Sequence, residues 1–136
     1  MSLKMVSDRI RAAVYQAKTI KGKVFAFLDF YKNPIETYIS GGCPIFNTAV
    51  EADDNYPLIK EKVAKVFRNG QEELAALLQE GINTGEFSSK LDPVVFAFKL
   101  TASVEGGIVM CRVMGTAKPM QGLVKSLKSE LEQYVL

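Results

Sequence analysis

Glu51, Asp53 and Asp54 form the densest acidic cluster in the sequence, and carboxylate oxygens are the ligands that magnesium and calcium prefer. The twelve-residue spacing of an EF-hand is absent, so the plainer reading is a solvated helix end followed by a capping turn. Asn47 and Glu51 lie four apart and share one face of a helix. With Thr48 they could supply the few polar groups that a small-molecule pocket needs, or cap a neighbouring helix. Glu105 stands in the otherwise apolar stretch from Thr101 to Val109. A carboxylate there must be paired, protonated or turned to a cavity: either it contacts a ligand, or it pairs with Arg112 two turns on.

Other chemistry is excluded by composition. The 136 residues contain no histidine, which removes Ser-His and Cys-His nucleophiles, His-ligated zinc and a histidine base. No Gly-rich phosphate loop is present. A small helical enzyme working through Glu51 or Glu105 with Arg112 is the rival reading, and a helical protein-interaction module without a ligand is another. The sequence is read as a non-enzyme, with no cofactor and no metal.

The elements that must position these residues are all helical. Asp8 can cap a first helix carrying Ile10, Ala13, Val14, Ala17 and Ile20 at spacings of three and four; Gly22 weakens it, and it continues to Tyr31. Asn33-Pro34 ends or kinks that helix. Pro44 opens a short helix with Ile45, Phe46, Ala49 and Val50 inward. Pro57 starts a long helix with the row Ile59, Val63, Val66, Phe67, Leu74, Leu77 and Leu78, ending at Gly81 and Gly85. Asp92-Pro93 is the sharpest start signal, a cap followed by proline at the first helical position. The helix behind it runs to Gly115 and is apolar on nearly every side, so it must be covered on every side. Gly106-Gly107 in its middle costs about 1 kcal/mol per glycine relative to alanine, which implies close approach of another helix. A last amphipathic helix begins near Pro119, with Leu123, Val124, Leu127 and Leu131 in its stripe. The expected class is all-α, with about six helices in one domain spanning residues 1–136. Met1-Ser2-Leu3 is assigned no structural role.

The formal charge is only +2, too small to argue for nucleic acid or a membrane surface. It is unevenly spread: residues 1–32 hold Lys4, Arg9, Arg11, Lys18, Lys21, Lys23 and Lys32 against Asp8 and Asp29 alone. Cys43 and Cys111 are far apart in apolar surroundings and read as buried, inert thiols, which suits a reducing cytosol. The apolar stretch Pro93 to Met114 contains Lys99, Glu105 and Arg112, which argues for a buried helix rather than a membrane span. The expected location is cytoplasmic.

The run Gly41-Gly42-Cys43-Pro44-Ile45-Phe46-Asn47-Thr48-Ala49-Val50-Glu51 resembles a Gly-Cys-Pro-(apolar)-Asn-(x)-(x)-(x)-Glu signature in the C-terminal domain of one group of tetracycline-repressor (TetR) family regulators. The helix order that follows is similar, through Gly85-Glu86-Phe87, Asp92-Pro93 and Glu105-Gly106 to the helix from Pro119. The likeness covers about residues 20–136. The helix-turn-helix by which such regulators read DNA has no counterpart in this sequence, so the chain is expected to be a piece of a longer regulator or one lacking its reading head. The resemblance implies a homodimer in which the last two helices form half of a four-helix bundle, with Gly106, Gly107, Leu123, Val124, Leu127 and Leu131 at the interface. It also implies an unknown small apolar effector, in a pocket bounded by Phe27, Tyr31, Phe46, Asn47, Phe67 and Glu105. Operator DNA would be contacted only through the absent N-terminal part.

Overall fold

The computed structural model describes residues 3–34 and 57–136. Five α-helices make up this part: α1 (Leu3–Gln16), α2 (Ile20–Phe30), α3 (Pro57–Asn83), α4 (Pro93–Met114) and α5 (Lys118–Glu132). Among the described residues no strand forms, and one isolated antiparallel bridge joins Phe87 to Val135. The short helix expected at Pro44 and the acidic cluster Glu51, Asp53 and Asp54 lie outside the described residues.

The first helical stretch is broken earlier than its periodicity suggests. Leu3 already belongs to α1, and Asp8 lies inside that helix rather than capping it. The break falls at residues 17–19, where Thr19 adopts an extended backbone and its Oγ1 accepts the Gly22 N–H at 2.9 Å. Gly22 therefore belongs to the first turn of α2, not to a weak point in one long helix. A second cap comes from far away in sequence. The Glu86 carboxylate accepts the N–H groups of Ile20 at 3.0 Å and Lys21 at 2.9 Å, so three orphan donors at this helix start are satisfied.

Helix α3 runs two residues past Gly81, and Gly85 (φ 81°) takes the left-handed turn that follows. Gly81 is required by packing: the ring of Phe87 occupies the space a Cβ there would need. Asp92 caps α4 through the Val95 N–H at 3.2 Å, Pro93 follows, and Gly115 (φ 75°) closes the helix with its N–H on the Cys111 carbonyl at 2.8 Å. These ends are the ones the sequence announces. The C-terminal residues return across the α3–α4 turn, with Ser88 N–H on Tyr134 O at 2.7 Å and Leu136 N–H on Glu86 O at 3.0 Å.

Helix α4 is the centre of the core. Phe96, Ala97, Leu100, Val104, Ile108 and Cys111 line one face and pack among Val24 and Leu28 of α2, Leu74 and Leu78 of α3, and Met120, Val124, Leu127 and Leu131 of α5. Fully burying each of the four α5 side chains is worth about 1.5–3 kcal/mol before entropy. The other face of α4 is not covered. By length and composition α4 could cross a membrane, yet only 33% of its most apolar window is buried within the chain.

Candidate functional site

Three aromatic rings gather at the end of α2. Phe27 meets Tyr31 edge-on at 5.5 Å between centroids, and Phe30 meets Tyr31 at 5.0 Å. Tyr31 closes the helix with its N–H on Leu28 O, which holds its ring in the interior. Three residues on, the carbonyl of Pro34 accepts Arg112 Nη1 at 3.2 Å, so the exit of α2 is tied to the last turns of α4.

The remaining candidate pocket residues sit on α3 and α4, which pack along one another. Phe67 is half-buried on α3, in the half of that helix where no residue is fully buried, and it is not among the residues packed against the central core. Ile59 and Val66, expected in the same inward row, are exposed; only Leu74 and Leu78 of that row are fully buried. Glu105 is half-buried on α4, with one carboxylate oxygen, Oε2, out of solvent. Phe46 and Asn47 lie outside the described residues. Of the expected set, ring contact is thus seen for Phe27 and Tyr31, while Phe67 and Glu105 are carried on adjoining helices.

Gln71 is a polar group that periodicity did not single out. It lies four residues beyond Phe67, one turn along α3, and its Oε1 is buried with no hydrogen-bond partner among the described residues. A buried amide oxygen left without a donor costs about 1–3 kcal/mol, so its retention asks for a purpose.

A second surface lies on the far side of α4. Val94, Val95, Phe98, Met110, Val113 and Met114 are all exposed there, Val113 at 83% and Phe98 at 66%. A shallow apolar groove between α4 and α5 continues this face, lined among others by Ala102, Gly106, Met110, Met114, Pro119 and Leu123. Gly106 opens onto free space, and Leu123 is half-buried. Gly107 instead faces Met120 and Leu123 of the same chain. Val124, Leu127 and Leu131 are buried in the single chain, at 4%, 2% and 0% exposure. The stripe of α5 is therefore occupied by the chain's own core, and the uncovered apolar surface belongs to α4. Cys111 is a free, buried thiol beneath the groove, and Cys43 lies outside the described residues.

Residues 21–127 match the family described as Tetracyclin repressor-like, C-terminal domain. Among solved structures, the chain is similar to a TetR transcriptional regulator from Chloroflexus aurantiacus J-10-fl, with a TM-score of 0.89 and 32% identity over 97% of this chain and 67% of that one. It is also similar to a TetR-family transcriptional regulator from Cytophaga hutchinsonii, with a TM-score of 0.88 and 25% identity over 96% of this chain and 66% of that one. The chain thus spans about two thirds of the length of either regulator. No curated protein matches it.

Proposed function

This chain belongs to the tetracycline-repressor-like C-terminal domain family, and on that premise we propose that it is the effector-sensing and dimerisation domain of a transcriptional regulator. In this reading a small, mostly apolar compound binds among α2, α3 and α4. Phe27, Tyr31 and Phe67 supply apolar and aromatic surface, Glu105 and Gln71 supply polar contacts, and Phe46 and Asn47 complete the wall. The protein carries out no reaction. It acts in the cytoplasm by controlling DNA binding through a helix-turn-helix outside this sequence, most simply as a repressor.

The observation that carries the proposal is the double role of α4. One helix packs along α3, which carries Phe67 and Gln71, and holds Phe98, Met110 and Val113 on an uncovered apolar face. A monomer that left this face in water would forgo several large side chains' worth of burial, whereas a second copy of the chain covers it. A ligand held on the inner side of α4 therefore bears on the helix that sets how two protomers meet.

The route to DNA leads through the basic entry segment. Helix α1 packs on α2, and Arg11 of α1 reaches Glu73 of α3 at 3.3 Å. That exposed ion pair is worth at most about 1 kcal/mol, so the packing of α1 on α2 carries the coupling. The effector changes DNA affinity only to the extent that it binds one arrangement of these helices better than the other. Thermal-shift screening of small apolar compounds tests the sensor: a binder raises Tm with concentration, and a chain that no such compound stabilises would count against it.

A further inference from the structure

We propose that residues 133–136 and Glu86 form a latch that holds the joint between α1 and α2 closed, so that the segment after α5 controls how firmly α1 sits on the body of the domain. As control of DNA, the inference rests on the regulator reading above, in which α1 leads toward the DNA-reading part. The latch itself does not depend on that reading.

Helix α1 has little hold on the core. Of residues 8–16 none is fully buried, and Ile10 alone among them packs against the central cluster. The ion pair of Arg11 with Glu73 is exposed and adds little. What holds α1 is its packing along α2, and that geometry is set at the joint, residues 17–19. Within the joint Thr19 satisfies one donor of α2, the Gly22 N–H. The donors of Ile20 and Lys21 depend on Glu86. A carboxylate at a helix N-terminus makes charge-assisted bonds that also meet the positive end of the helix dipole.

Glu86 is in turn held by the end of the chain. Its carbonyl accepts the Leu136 N–H at 3.0 Å, the Ser88 N–H reaches Tyr134 O at 2.7 Å, and Phe87 pairs with Val135 between them. The Phe87 ring and Ile20 both lie over Gly81, so the turn and the start of α2 pack on one spot of α3. Lys21 Nζ then reaches Glu132 Oε1 at 2.9 Å, back at the end of α5. The contacts close a ring: from the end of α5 through residues 134–136 to Glu86, on to Ile20 and Lys21, and back to Glu132. Glu86 is the positioning residue of this ring, bonded to the strap through its backbone and to α2 through its side chain. Freeing Leu136 loosens the turn that aims the Glu86 carboxylate, while Leu100, Val104 and Ile108 stay buried far from it.

Hydrogen exchange read by mass spectrometry, with the whole chain labelled for seconds to minutes, tests the latch. Leu136→Pro removes the N–H that bonds Glu86 O, at a side chain 80% exposed, and Leu136→Ala keeps that N–H. Leu136→Pro is expected to speed exchange over residues 17–23 by about threefold or more, and Glu86→Ala by about tenfold. The double variant is expected to match Glu86→Ala, because both changes open the same ring. Leu136→Ala is expected to exchange as the parent does, and residues 97–111 are expected to stay protected in every variant. The latch is overturned if residues 17–23 are already unprotected in the parent, or keep the parent's rate in Leu136→Pro. It is overturned equally if Leu136→Ala acts like Leu136→Pro, if the two effects add in the double variant, or if residues 97–111 exchange along with the joint. A chain that no small apolar compound stabilises would remove the sensor reading and leave these outcomes to decide the latch.

Discussion

Gly107 of α4 lies directly beneath Met120 of α5: a Cβ at position 107 would come 2.6 Å from Met120 Cε and 3.0 Å from its Sδ. The end of the Met120 side chain therefore packs directly on the α4 backbone at this level. Its neighbour Gly106, about 100° further round the helix, meets nothing within 4 Å. Adjacent glycines thus serve different surfaces, one inside the chain and one outside it.

The pair should separate experimentally. Gly107→Leu drives a side chain into Met120 and Leu123 and is expected to destabilise the fold by about 1–3 kcal/mol, seen as a lower midpoint in urea. Gly106→Leu is expected to leave the protomer's fold intact and weaken self-association, seen as a falling mass on dilution in light scattering.

Glu86 bonds two backbone donors at the start of α2 from 65 and 66 residues away. Glu86→Ala removes both bonds at a part-buried site and is expected to cost about 1–2 kcal/mol. For a chain of this size that is a Tm lower by roughly 3–10 °C in a thermal melt. Glu86→Gln, which keeps an acceptor, should recover part of the loss.

Gln71→Leu discards a buried oxygen that has no partner among the described residues. The variant is expected to melt at or above the parent's Tm, because an unsatisfied polar group leaves the interior. If Gln71 serves the effector, the same substitution should reduce the Tm rise given by any compound that stabilises the parent. Isothermal titration with that compound gives the affinity ratio.

Interior and exterior positions of the α4–α5 pair should also respond differently. Leu131→Ala empties a fully buried site and is expected to cost about 2–5 kcal/mol, and Leu127→Glu should unfold the protomer rather than split a dimer. Val113→Glu, placed on a side chain 83% exposed, should leave circular dichroism nearly unchanged while releasing monomers, with Tm lower only by what dimerisation contributes.

Much of the fold was legible because its helix ends are local. Asp92-Pro93, Gly85 and Gly115 fix their turns through their own backbone and side chains, so sequence alone places them. The break between α1 and α2 was not, because two of its three capping bonds come from Glu86, which no local pattern connects to Ile20. Asp8 looked like a cap because aspartate is a favoured N-cap residue and the apolar row begins two residues on, at Ile10. On α5, Val124, Leu127 and Leu131 announce an apolar stripe, but periodicity cannot say whether a stripe meets its own chain or another. The structure directs it inward and leaves Phe98, Met110 and Val113 outside. Gln71 was invisible for a similar reason: its significance lies in a missing partner, which is a property of packing.

The most direct test of the central claim is the mass of the chain in solution, measured by light scattering coupled to size exclusion at micromolar concentration. A homodimeric sensing domain gives about twice the 15.0 kDa of one chain, and Val113→Glu brings it down to one. A parent chain that elutes at 15.0 kDa, with the α4 face left in water, would contradict the account.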